Sequence, residues 1–283
     1  VFSSDGLNVI VSAAAWTTDK DEGQTAVYDL GGFGFSAAGE LETGFGSFGL
    51  SGTWLWNDYD QGHDYNRVQS DTYELAAYWR GKWGGFTAFG RGSIGLVDFR
   101  GRRTFTGKAG DKTIERNVIS EWNGTMMSAS GGLSYEGGGT HFFFRPSVSF
   151  DYLKLDEDSY TDHGGGGLNL HVEDRKSDEF AVNGGLTLGI DFTGTRRRDE
   201  NWFRVETEGG WREVVGGSLG STTARFDDGP SFTLDPEQVD SGWYARLRAM
   251  GGSSAFEMGG EVGAEDRHGG TALSLRGTLK MAF

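Results

Sequence analysis

The 283-residue chain has no cysteine and only three prolines. The missing thiols exclude disulfides and thiolate metal sites. The missing prolines are informative beside 49 glycines, because loop-rich disorder brings proline along with glycine. Here glycine accompanies 9 Trp, 9 Tyr and 20 Phe instead, and disordered chains lack aromatics. Positive charge is also scarce: 26 Lys and Arg stand against 41 Asp and Glu, a net charge of −15. No nucleic-acid partner is expected, since phosphate backbones demand basic patches. No apolar run reaches the roughly 18 residues of a transmembrane helix, and the longest weakly apolar stretch, near Val9 to Trp16, contains Ser12. The opening Val1-Phe2-Ser3-Ser4-Asp5-Gly6 lacks a basic start followed by an apolar core, so the chain reads as mature or as an excised piece.

What is present is a period of two. Successive strand side chains point to opposite faces. Leu273, Leu275, Leu279, Met281 and Phe283 share one parity, and Ser274, Arg276, Thr278, Lys280 and Ala282 share the other. Phe142, Phe144, Pro146, Val148, Phe150 and Tyr152 alternate with Arg145, Ser147, Ser149 and Asp151. Similar alternation runs through Phe48–Trp56, Tyr73–Arg80, Glu179–Phe192 and Phe256–Glu265. A soluble β-sandwich also alternates, but its strands cluster near 5–6 residues. These are often about 10 or longer, the length that crosses a bilayer at a tilt. Trp16, Trp54, Trp56, Trp79, Trp83, Trp122, Trp202 and Trp243 gather at strand ends, as interfacial girdles do. A mean hydropathy of −0.46 is compatible with this, because only every second residue of a membrane barrel faces lipid.

The pattern predicts a single domain over residues 1–283: an all-β, transmembrane antiparallel barrel of 12 strands between Leu7 and Phe283, in a bacterial outer membrane. The eighth strand reads as Leu168–Phe192, too long for a bilayer, with its first half standing clear as a hairpin arm. Long connections such as Asn57–Asp71, Gly101–Ile119 and Gly216–Ser241 alternate with short ones such as Leu41–Gly44 and Lys82–Gly85. Outer-membrane barrels have short periplasmic turns and long outer loops, so both termini are expected in the periplasm and the long acidic loops outside.

The polar parity is expected to line the lumen: Arg145, Asp151, Glu179, Asp191, Arg204, Glu206, Glu208, Arg246, Arg248, Glu257, Glu261 and Arg276, with Arg212, Glu265 and Lys280 on the same faces. Acid and base alternate between strands, so cross-strand pairs can form. A charge facing lipid would cost about 2–4 kcal/mol at the midplane. Such pairs can simply hold a wet interior together; functionally they describe a charge-balanced conduit. Leu279, Met281 and Phe283 form a regular apolar edge at the C-terminus and are expected to be an assembly signal for the barrel-insertion machinery.

No catalytic constellation emerges. His63, His163 and His268 fall in loops, His171 on the predicted arm and His141 beside a turn. A barrel lipase would need a Ser-His pair facing lipid. Neighbouring Asp-His pairs, His63-Asp64 and Asp162-His163, are common in loops. Asp156, Asp158 and Asp162 lack the spacing of an EF-hand. No metal and no cofactor are expected. The glycine run Gly164–Gly167 has no following Lys-Ser, so phosphate binding is unsupported.

The chain resembles the translocator domain of autotransporters, the type V secretion barrels, from about Leu7 to Phe283. The resemblance is carried by Phe144-Arg145-Pro146-Ser147-Val148-Ser149-Phe150-Asp151-Tyr152, by Leu168-Asn169-Leu170-His171-Val172 after an acidic loop, by Ser177 and by Leu186-Thr187-Leu188-Gly189. Tyr28-Asp29, Gly34–Gly39 and the terminal Phe283 agree with it. It implies a barrel in outer-membrane lipid that exports and anchors an N-terminal passenger polypeptide, with a linker helix threading the pore. Residues 1–6 are too short for such a helix. Some members cleave themselves at an Asn-Asn pair, which this sequence does not contain. The alternative is a stand-alone outer-membrane channel or anchoring barrel, with an outer-membrane enzyme as a third reading.

Overall fold

The computed structural model describes residues 6–20, 28–61, 66–193, 201–236, 241–267 and 270–282. Twelve of its strands form a closed antiparallel barrel. They are β1 (Leu7–Lys20), β2 (Tyr28–Thr43), β3 (Gly46–Gln61), β4 (Asn66–Trp83), β5 (Phe86–Ala109), β6 (Lys112–Tyr135), β7 (Phe142–Glu157), β8 (Arg175–Asp191), β9 (Trp202–Ser218), β10 (Gly242–Gly252), β11 (Phe256–Arg267) and β12 (Gly270–Ala282). Each pairs with its chain neighbours, and β12 returns to β1 with Asn8 opposite Ala282 and Asp19 opposite Thr271. Closure leaves no unpaired edge in hydrocarbon, where each unsatisfied backbone group would cost several kcal/mol.

The alternation sorts side chains by face. On β7, Phe142, Phe144, Val148 and Phe150 are exposed, whereas Phe143 is buried. Leu50, Leu75 and Leu96 are 63%, 61% and 63% exposed on neighbouring strands. Such an apolar belt would drive aggregation in water, and it suits lipid. The buried residues include Glu40, Glu206, Glu208 and Asp191, the reverse of a soluble protein.

One end carries tight turns, such as Gly44-Phe45 and Gly84-Gly85. At the other, β5 and β6 extend to 24 residues each and pair as far as Ala109 opposite Lys112. The turn there uses Gly110 at φ +63°, a region glycine enters without strain. The expected loop Gly101–Ile119 is therefore mostly ladder, and the expected loop Asn57–Asp71 continues β3 and β4. Apolar parity ends there, but backbone hydrogen bonds do not need apolar side chains.

The eighth strand is also corrected. Residues 168–174 do not continue β8. Gly166–Leu168 is a 3-10 turn, and Leu170–Val172 pairs with Tyr160–Thr161 and Thr222–Phe226. With Ser231–Leu234 these make a four-stranded sheet from two long connections. Its apolar side buries Val172 and Ala224, and Val118 of β6 is also buried. Tyr160 stacks on Trp122 at 4.4 Å, and Arg103 pairs with Asp162. Pro230 and Pro236 flank the outer strand Ser231–Leu234, and proline blunts an edge because it offers no N–H.

Candidate functional site

The face turned away from the apolar belt holds the charges. Along one register level, Glu206 of β9 lies opposite Arg248 of β10, Arg248 opposite Glu261 of β11, and Glu261 opposite Arg276 of β12. One level on, Glu208 lies opposite Arg246. Arg248 is the hub. Its guanidinium pairs with Glu261, reaches Glu208 at 2.6 Å and stands 3.7 Å from Glu206. Arg246 lies 3.8 Å from Glu208. Glu206 is 2% exposed, and a carboxylate so enclosed stays charged only when cations and hydrogen bonds replace its water.

A second group sits toward the short-turn end. Pro146 of β7 has no N–H to give β6, and the β6–β7 ladder, continuous to Ser134 opposite Ser147, is interrupted there. In that gap the amide of Glu136 donates to the carbonyl of Gly85. The Glu136 carboxylate lies 3.3 Å from Arg145 and 3.2 Å from Arg204. Arg145 also donates to Glu206 at 2.5 Å. Arg204 stands 3.9 Å from Asp191, and its guanidinium lies over the Phe143 ring at 4.2 Å. Arg145 thus bridges from β7 to β9 across β8.

Smaller groups complete the wall. Arg212 pairs with Glu179, and Asn183 donates to Asp151 at 2.6 Å. Tyr244 lies over glycines: a Cβ on Gly210 would stand 2.4 Å from its ring and 2.4 Å from the Gly184 carbonyl. A cavity of about 600 Å³ is bordered by Arg91, Asp151, Glu179, Arg212, Arg246 and Arg248 among others. From β1 to β3 the same face changes. Ile10, Ser12, Ala14, Gly34, Ser36, Ala38, Ser51, Thr53 and Leu55 occupy the corresponding levels. Its polar contacts there are neutral, such as Ser12 with Ser36 at 2.6 Å and Trp16 donating to Asn57 at 3.1 Å.

Of the sequence-predicted residues, Arg145, Asp191, Arg204, Glu206, Glu208, Arg246, Arg248 and Glu261 form one connected network. Asp151 and Glu179 belong to the separate contacts above. Glu257 lies opposite Lys280. Arg276 has no ion pair among the described residues, although Glu261 is its register partner. Leu279 and Met281 are half-buried on β12, and Phe283 lies outside the described residues, as do His63, Asp64 and His268.

Sequence reasoning missed Glu40, Glu74, Arg80, Arg91 and Glu136 as site residues. The alternation over Tyr73–Arg80 set Glu74 and Arg80 on the polar parity, but their partners Arg91 and Glu40 lie on other strands. It also missed a row on the outer sheet: Thr161 Oγ1 is 3.0 Å from His171 Nδ1, and His171 Nε2 is 2.5 Å from Asp227. The His and Asp side chains are 33% and 43% exposed, so water competes for each contact. Asp156 pairs with Lys154 and Asp162 with Arg103, so two of the three loop carboxylates considered for a cation already have partners.

Residues 12–250 match the autotransporter beta-domain family, and the chain belongs to it. It is an outer-membrane translocator barrel of that class. Membership implies a linked N-terminal passenger. The translocator domain of the autotransporter NalP from Neisseria meningitidis superposes with a TM-score of 0.76 at 14% identity, covering 98% of this chain and 88% of that one. The transport unit of the Escherichia coli autotransporter AIDA-I gives 0.65 at 14% identity, covering 98% and 90%. The beta domain of the Bordetella autotransporter BrkA gives 0.64 at 12% identity, covering 97% and 99%. At such identities these likenesses concern the fold alone. No curated protein matches the chain in sequence.

Proposed function

We propose that this chain, as one domain over residues 1–283, exports an N-terminal passenger through the outer membrane and anchors it there, without catalysis of its own. The observation that carries the reading is the polar face, whose charges are largely paired with one another. On this reading the face lines a hydrated lumen. A self-neutralised wall holds no strong field for one ion, which suits a polar polypeptide of varied side chains better than a selected solute. Diameter grows with strand number, and a small barrel leaves room for little more than a helix or an extended segment. The passenger therefore crosses unfolded, and a linker helix then occupies the pore. The termini lie in the periplasm, the long connections outside. Leu279, Met281 and Phe283 on the terminal strand present the barrel to the insertion machinery.

The test fuses a signal peptide, a helical linker and an epitope ahead of Leu7. The epitope is expected to become protease-accessible on intact cells. An epitope that stays periplasmic while the barrel assembles normally overturns export and favours a stand-alone channel.

A further inference from the structure

A barrel closes where its first and last strands meet, and the ladder alone does not distinguish that seam from any other strand pair. The side chains do. Glu40 of β2 is 1% exposed and is among the most enclosed charged residues described. It has two cations. Lys280 of β12 reaches it at 2.9 Å, over β1, and Arg80 of β4 reaches it at 3.2 Å, over β3. Lys280 also stands 3.9 Å from Glu42. Among the described residues, the contacts of Lys280 with Glu40 and Glu42 are the side-chain ion pairs that cross the β12–β1 seam. The neighbouring Ser12–Ser36, Trp16–Asn57 and Asn8–Glu42 hydrogen bonds all start on β1 and stay on its β2 side.

We propose that Glu40 and Lys280 form the latch of the closing seam. Lys280 lies 240 residues from Glu40 in sequence. It can meet that carboxylate only after β1 and β2 are in place and β12 has docked on β1, so the pair forms with closure and not before. The two cations divide the work. Arg80 neutralises Glu40 within the consecutive strands β2–β4, so the carboxylate has one partner before closure. Lys280 adds the second partner and ties the last strand to the first three. Loss of Lys280 leaves the enclosed Glu40 with Arg80 alone and removes the ion pair that spans the seam, so it weakens the seam specifically. Loss of Arg80 weakens the consecutive strands β2–β4 and leaves the seam pair in place.

The absence of native cysteine makes the test direct. Val9 and Met281 are register partners across the seam, and Leu50 and Ala77 are partners between β3 and β4. Purified barrels carrying Lys280→Met, Lys280→Arg or Arg80→Met are heated in detergent, and the loss of the compact folded band is followed on gels. Lys280→Met is expected to lower the transition by about 10 °C, and Lys280→Arg is expected to retain most of the native value. An oxidised Val9→Cys/Met281→Cys pair should restore Lys280→Met and leave Arg80→Met unrestored. An oxidised Leu50→Cys/Ala77→Cys pair should not restore Lys280→Met. Should Lys280→Met not accumulate in cells, the same comparison is made on protein refolded from urea into detergent, with Lys280→Gln as a second variant. An unshifted Lys280→Met transition, or equal rescue by both disulfides, overturns the latch.

Discussion

Followed around one level of the barrel, the polar face changes character between β12 and β1. From β9 onward the sequence of partners is Glu206, Arg248, Glu261 and Arg276; it then continues as Ala14, Gly34 and Leu55. The β12–β1, β1–β2 and β2–β3 ladders are continuous, whereas the charged strands carry a break at Pro146 and a register shift at Phe180–Ala181; along this level, however, the difference lies in side chains. In the β7–β12 half, rigidity comes from ion pairs that must be complete to be favourable. On β1–β3, apart from Glu40 at the short-turn end, it comes from small residues and neutral hydrogen bonds, which tolerate loss. The charged half is therefore expected to be brittle and the plain half forgiving.

The largest expected effect comes from breaking the charged half at its most enclosed member. Glu206→Ala removes the carboxylate shared by Arg145, Arg204 and Arg248 and leaves them only their outer partners, and should cost up to about 3–5 kcal/mol. Ser36→Ala, one register level away on β2, loses one neutral hydrogen bond and should cost about 0.5–1.5 kcal/mol. Urea unfolding in detergent micelles checks both, and equal shifts in midpoint would end the comparison. Next comes the contrast between the two faces of one strand. Val148→Asp puts a carboxylate in the belt, where Val148 is 52% exposed, at a cost below about 2–4 kcal/mol, since acids there cost less than basic residues. Ser149→Asp, on the polar face, should be mild; equal heat-modifiability of the two would refute the assignment of faces.

Glycine offers a finer comparison. A Cβ at Gly210 collides with Tyr244 and a carbonyl oxygen, whereas a Cβ at Gly52 of β3 meets nothing within 4 Å. Gly210→Ala should cost about 1–3 kcal/mol through overpacking, and Gly52→Ala should stay within about 0.5 kcal/mol. The smallest effect concerns the outer sheet. Burial raises the Tyr160 phenol above its ordinary value of 10.0, with the nearby Asp162 adding to the shift. A raised folded-state value means that the contribution is fully present below pH 10 and is lost as pH rises through the folded-state value. Proteolysis of the 158–174 connection should therefore accelerate above pH 10 while the folded barrel band persists. Unchanged cleavage would show that the Tyr160–Trp122 stack does not hold the sheet.

Much of this arrangement was legible in the amino-acid order. Leu273, Leu275, Leu279 and Met281 announce one face of β12 and Arg276 and Lys280 the other, because strand geometry fixes the direction of residue i relative to i+2. The length and number of such runs gave the barrel and its twelve strands. The long connections were misread where polarity hid continuing strand, as at Arg102–Val118, and where Leu170–Val172 left β8 for another sheet. For Leu170–Val172 the deciding partner, Thr222–Phe226, was remote; for β5 it was the next strand, β6, in a hairpin whose polar side chains concealed its length.

Sequence by itself determined which residues share a face, since that depends only on local backbone geometry. It also determined that the chain must close, since an open edge in lipid is prohibitive. Tertiary structure decided which charges meet. Arg145 finds Glu206 across β8, Arg248 gathers carboxylates from two strands, and Lys280 finds Glu40 across the seam. Those partnerships depend on the stagger between strands and on where β12 docks on β1. Both are properties of the closed barrel and of no strand within it.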